Sequence, residues 1–151
     1  MRIYLVLIDE TDEARHALRF ASSRAAKTDC WVHIIALVPK QEFSPFGGVM
    51  ATIEEEARQR AEVLAASMAG NVAHESGRMP TISVRQGEGA EVIKAYLAEH
   101  PEVSALVLGA AANGNPGPVV SHFTGPFLGQ LPCPLMIVPG GLPEDRLIEL
   151  S

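Results

Sequence analysis

Cysteine is scarce: the 151 residues hold two, too few for a disulfide-stapled scaffold, and both are expected as thiols. Long apolar runs are missing. No stretch approaches the ~20 residues that a membrane-spanning helix needs. The run Arg2–Ile8 is also too short for a signal-peptide core, and it meets Asp9-Glu10 with no small-residue cleavage site. A cytoplasmic location is the expectation. Basic residues are in deficit, 12 against 18 acidic, for a net charge of -6. No clustered basic face is visible, which argues against a nucleic-acid partner. What remains is ordinary in bulk, with 47% hydrophobic and 20% charged residues. At ~150 residues per domain this is one globular domain.

The apolar residues alternate between two periods. Residues 3–8 are continuously apolar and read as a strand buried on both faces, as in a parallel sheet. Ala14, Ala17, Leu18, Ala21 and Ala25 recur at helical spacing and predict a helix over 12–27, capped by Thr11 or Asp12. A second strand is expected at 31–38, ended by Pro39, followed by a loop over 39–50 that carries Phe43, Phe46 and Met50. That loop reads either as a lid or as a disordered segment. Thr52 and Glu55 have capping-box spacing, so the second helix is expected to open there. Its buried stripe would be Ile53, Ala57, Ala61, Leu64 and Met68, with Glu54/Arg58 and Glu56/Arg60 paired on the wet face. The short, more polar 81–85 suits an edge strand. Ala90, Ile93, Tyr96 and Leu97 mark a third helix, stopped before Pro101. Residues 103–108 form an apolar fourth strand. A helix over 119–131 with a Gly125-Pro126 defect, a last strand over 135–138 and a polar tail complete the chain. Strands alternating with helices predict an α/β fold: an open parallel sheet with helices on both faces.

In such sheets ligands sit beyond the carboxyl ends of the strands, where the winding reverses. The strands at 3–8 and 103–108 are the most apolar and should be central neighbours. Asp9 would then face the loop that begins at Gly109. Backbone amides of that loop could hold phosphate oxygens, and the carboxylate a ribose hydroxyl. The standard phosphate motifs are absent. Gly109 to Gly114 has P-loop glycine spacing, but Asn115-Pro116 stands where Lys and Ser/Thr are needed. The turn after the first strand has no glycine, so a Rossmann fingerprint is missing too.

Several segments carry a family likeness: Val6-Leu7-Ile8-Asp9, Ala36-Leu37-Val38, Gly87, the run Val103–Gly109, and above all Leu131-Pro132-Cys133-Pro134-Leu135-Met136-Ile137-Val138. Over residues 1–139 the chain resembles a universal stress protein (UspA-type) domain, with 140–151 as a C-terminal tail. The resemblance implies a five-stranded sheet ordered 3-2-1-4-5, of the adenine nucleotide alpha hydrolase-like kind. It also implies a homodimer joined through the last strand at Leu135, Met136, Ile137 and Val138, and ATP or AMP with magnesium as ligand. Many members bind ATP through Gly-x2-Gly-x9-Gly-(Ser/Thr), with an aspartate after the first strand and a backbone contact at the end of the second. Asp9, Leu37 and Gly109 match this pattern. The second glycine falls on Ala112, and the Gly-Ser pair on Ser121 and His122. Gly114 and Gly117 offer a different loop path. The implied nucleotide site is therefore Asp9, Leu37, Gly109, Gly114, Gly117, Ser121 and His122.

Asp9 reads equally as a helix cap, and His122 as a plain helix-face residue. His16, His33, His74 and His100 show no metal-ligand spacing. Cys30 and Cys133 would lie three strands apart, about 14 Å at ~4.8 Å per strand, beyond disulfide reach. No Gly-x-Ser-x-Gly elbow, general base or phosphate-clamping lysine is present, so any ATP turnover should be slow. The leading reading is a stress-response binding module, not an enzyme, with an adenine nucleotide held weakly or conditionally. The rivals are a dimeric signalling or partner-binding protein without nucleotide, and a slow nucleotide-hydrolysing or nucleotidyl-transfer enzyme. The transferase would need a His-x-Gly-His-like turn after the first strand, which Asp9-Glu10-Thr11-Asp12 does not offer.

Overall fold

Ile3–Ile8 leaves no polar face to expose, and as strand β1 all six residues are buried. The computed structural model describes residues 1–40 and 47–151. β1 is the middle of a sheet that also holds β2 (Trp31–Val38), β3 (Thr81–Gln86), β4 (Ala105–Ala110) and β5 (Leu135–Pro139). The order is β3-β2-β1-β4-β5 and every pairing is parallel. Tyr4, Val6 and Ile8 face one layer, formed by α1 (Asp12–Thr28), α2 (Gly47–Ser76) and α5 (Glu144–Leu150). Ile3, Leu5 and Leu7 face the other, formed by α3 (Gly89–Glu99) and α4 (Pro118–Phe123). Period-two alternation thus divides one strand between two cores.

Helix α1 begins where expected: Thr11 is its N-cap, and the Thr11 hydroxyl accepts from the Ala14 amide at 3.3 Å. It ends on Asp29, which takes a left-handed conformation with φ 58° and donates its amide to the Ala25 carbonyl. Its buried face is mostly alanine, which lets the helix lie close to the sheet.

Several expectations need correction. Helix α2 starts at Gly47, so Thr52 and Glu55 lie inside it and make no capping box at its start. Ile53 is 39% exposed, and the buried stripe is Ala57, Ala61, Ala65, Ala69 and Val72. Arg60 pairs with Glu10 at 3.1 Å instead of Glu56. Phe43 and Phe46 lie outside the described residues; Met50 sits in the first turns of α2. Strand β4 spans 105–110, two residues later than expected, because the Val103 amide is spent on the His100 carbonyl in a turn. The 119–131 helix breaks at the glycine-proline pair into α4 and a single 3-10 turn at Leu128–Gln130. The polar tail is folded: α5 buries Leu147 to 1% exposure among α1 and β5 residues. Arg24 and Lys27 hold its end through the Ser151 carbonyl and hydroxyl. Cys30 and Cys133 are both free thiols.

Candidate functional site

At the carboxyl tips of β1 and β2 the chain leaves a cavity of about 250 Å³. Its walls are Ile8 at the end of β1, Asp9, Glu10 and Thr11 from the β1–α1 turn, Ala36 and Leu37 from β2 with Pro39 just after it, and Ala57, Arg60, Ala61 and Leu64 from α2. The small side chains at 57 and 61 recur every four residues, which opens space where larger ones would reach the sheet.

Asp9 is half-buried at the tip of β1. Its Oδ1 accepts from the Thr11 amide at 2.9 Å and from the Thr11 hydroxyl at 2.5 Å. The carboxylate therefore orients the residue that caps α1. Its Oδ2 makes no hydrogen bond among the described residues, so one oxygen of a fixed carboxylate stays available. The cap and ligand readings of Asp9 are compatible, one oxygen for each. Beside it the Glu10–Arg60 ion pair joins the β1–α1 turn to α2 across the cavity wall. At 59% and 73% side-chain exposure this pair is weak and easily opened.

The other five residues expected of the site do not line this cavity. Gly109 is on β4, next to β1, but its role in the fold is packing. A Cβ there would stand 1.9 Å from the Glu13 carbonyl oxygen, so only glycine lets the first turn of α1 rest on β4. Gly140 repeats this, with a Cβ 2.6 Å from the Ala110 carbonyl oxygen. Gly114 and Gly117 differ. Both take positive φ, 72° and 113°, and a Cβ on either would meet nothing within 4 Å. Their loop is closed by the Ala111 amide donating to the Pro116 carbonyl at 3.1 Å. It leads into α4, where Ser121 is exposed. His122 stacks on Phe127 at 4.8 Å and meets Phe123 edge-on at 5.1 Å. Its Nε2 is buried with no hydrogen-bond partner.

Four further residues line the cavity: Ala57, Ala61 and Leu64, which the sequence places in the buried stripe of α2, and Arg60, which it places on the wet face. The alanine spacing is a signal for the first group; nothing local signals Arg60.

Residues 1–139 match the universal stress protein family. The chain belongs to that family. Solved structures of other members share its fold at low identity. A universal stress protein UspA from Lactobacillus plantarum is 20% identical, with a TM-score of 0.76 over 91% of this chain and 97% of that one. A family protein from Burkholderia pseudomallei is 17% identical, with a TM-score of 0.71 over 91% and 95%. An Arabidopsis thaliana member, solved with AMP bound, is 17% identical, with a TM-score of 0.59 over 92% of each chain. No curated protein matches the sequence. The five-stranded order 3-2-1-4-5 is thus the order of a universal stress protein domain. No described helix is long and apolar enough to cross a membrane.

Proposed function

We propose that this universal stress protein is a cytoplasmic binding module whose ligand is an adenine nucleotide, AMP or ATP, with magnesium accompanying ATP. The observation that carries the reading is the cavity at the tips of β1 and β2, walled by Asp9 and Leu37. Its volume suits the nucleoside portion of a nucleotide, just below the ~300–1,000 Å³ of drug-sized pockets. Asp9 Oδ2 would accept from a ribose hydroxyl, and the Leu37 backbone would meet the base edge. The phosphates would run toward the loop of Gly114 and Gly117, with Ser121 and His122 beyond it. The AMP-bound Arabidopsis relative supports an adenine nucleotide as the ligand to try first. Gly109 lies on the strand beside β1 without lining the cavity, and its glycine is explained by α1.

The module is proposed to be non-catalytic. Lys94, the lysine beside His122, is spent on the Phe127 ring at 3.7 Å and on Glu91 at 3.3 Å, and Asp9 would meet the ribose and not a water. Dimerisation is proposed through β5, which has a strand on one side only and carries Ile137 at 39% exposure. An apolar edge of this kind is a pairing template.

Isothermal titration of the purified protein with AMP and with ATP plus magnesium tests the reading. Saturable binding that is lost in Asp9→Ala is expected. At 100-fold over its Kd a ligand should add about 2.7 kcal/mol of stability. Absence of heat and of a thermal shift at millimolar nucleotide would overturn it. The packing role of Gly109 favours the second reading, a dimeric partner-binding protein without nucleotide, which that result would leave standing. Sedimentation of Ile137→Lys tests the edge: the wild type should run as a dimer and the variant as a monomer.

A further inference from the structure

A larger cavity, about 500 Å³, lies in the layer of α1, α2 and α5, away from Asp9 and Leu37. Its apolar wall is Leu18, Met68, Val72 and Leu147, one or two residues from each helix. The volume falls in the range of small-molecule pockets, and the mostly apolar lining with a few polar groups is their usual character. Two features separate it from an accidental gap. Ser22 lies in its wall at 2% exposure, and its hydroxyl has no hydrogen-bond partner. Buried hydroxyls are normally satisfied, so this one lacks something that a ligand would supply. Ions, moreover, mark the rim. Arg19 on α1 donates to Glu75 of α2 at 2.7 Å, and its Nε lies 3.2 Å from Glu144 of α5 without a hydrogen bond, so one guanidinium faces both neighbouring helices.

Charge at the rim selects the ligand. Glu75 and Glu144 are both occupied by Arg19. Arg15, one turn earlier on α1, lines the same cavity and has no ion pair among the described residues. It is exposed. A guanidinium matches a carboxylate bidentately. A dianionic phosphate would place a second negative charge near Glu75 and Glu144 with no second free arginine to meet it. We propose that this cavity is a second ligand site, which takes a small amphipathic monocarboxylate. The carboxylate binds Arg15, the apolar body lies among Leu18, Met68, Val72 and Leu147, and a hydroxyl on that body meets Ser22; octanoate, the probe used below, reads the first two of these contacts. This site does not depend on the nucleotide reading.

The test is titration of the full chain with sodium octanoate below its micelle concentration, with 1-octanol and octylamine as controls. Melting temperature and isothermal calorimetry are the readouts. Octanoate should bind saturably and raise the melting temperature, and the two controls should bind at least tenfold more weakly. Arg15→Gln changes an exposed side chain and should weaken octanoate about tenfold. Met68→Trp, at a half-buried position, fills the cavity and should abolish binding. Circular dichroism confirms that both variants fold. Failure of octanoate to bind the wild type overturns the proposal. So does octanol binding equal to octanoate, or octanoate binding unchanged in both variants. Saturating AMP should leave octanoate affinity unchanged, and competition between the two would place octanoate in the wrong cavity.

Discussion

The two ends of the sheet are built on opposite plans. At the amino end polar groups are matched inside the protein. The Ile3 amide donates to the Ser104 hydroxyl at 3.1 Å and the Ser104 amide returns to the Ile3 carbonyl at 2.9 Å. His33 Nδ1 lies 2.7 Å from the Tyr96 hydroxyl, and Tyr96 stacks on His100 at 4.0 Å. At the carboxyl end one oxygen of Asp9 is unspent, two loop glycines have open space around them, and a cavity separates α2 from the strand tips. Paired polar groups gather at the amino end, and unspent ones at the carboxyl end, where the proposed site lies. This is the arrangement expected of open α/β sheets, whose ligands sit beyond the strand tips.

Gly109 is the exception at the carboxyl end, and the largest effect belongs to it. Gly109→Ala puts a methyl group 1.9 Å from a backbone oxygen, with no flexible side chain to yield. Overpacking of this kind should lower unfolding free energy by about 3 kcal/mol, read as a shift of the urea midpoint. An unchanged midpoint would mean that α1 does not rest on β4 and that Gly109 belongs with the open loop.

Gly114→Ala sharpens the contrast. Nothing crowds position 114, but its φ of 72° is left-handed, so the cost should be only about 1 kcal/mol. If Gly114 and Gly109 lost equal stability, the difference between a packing glycine and a loop glycine would disappear.

The pair Asp9→Ala and Thr11→Ala divides capping from binding. Each removes part of one hydrogen-bonded cap, so each should cost about 1 kcal/mol. Only the Asp9 variant should also lose AMP in calorimetry, because Thr11 acts on α1 while Asp9 has a second oxygen for the ligand. Equal loss of AMP in both would show that the cap merely holds the cavity in shape.

The fold was legible because its strands declare themselves. Ile3–Ile8 and Trp31–Val38 stand with the boundaries that their apolar runs marked. The apolar run Leu135–Val138 marked the last strand in the same way, one residue short of its end at Pro139. Local signals misled where two local structures shared one pattern. Thr52 and Glu55 fit a cap, yet the helix extends back to Gly47, and nothing in a four-residue pattern reports what precedes it. Leu147 in a short charged segment reads as tail; only contact with α1 turns it into core. The site was half legible. Asp9 and Leu37 are recognisable at strand ends, whereas Arg60 enters the wall from a helix far along the chain. Gly109 carries two readings at once, because a close approach to backbone leaves the same mark in sequence as a close approach to phosphate.

The smallest effect tests the amino end. Burial lowers the His33 pKa below its ordinary 6.5, the positive charge of His100 lowers it further, and Glu102 partly offsets both. Tyr96 is the other group against the ring, and the Arg85 guanidinium lies 4.9 Å from the centre of the Tyr96 ring. Above 6.5 the ring is neutral in the folded and the unfolded chain, and the full stability is present. As pH falls below that value the unfolded chain takes up a proton first, so stability declines until the folded pKa is reached and then levels off. Urea midpoints measured from about pH 7.5 down to 5 should show this decline. His33→Gln should flatten it by the share that His33 contributes. A decline of the same size in the variant would remove His33 as its source, and the paired amino end would then be no more pH-sensitive than the open tips.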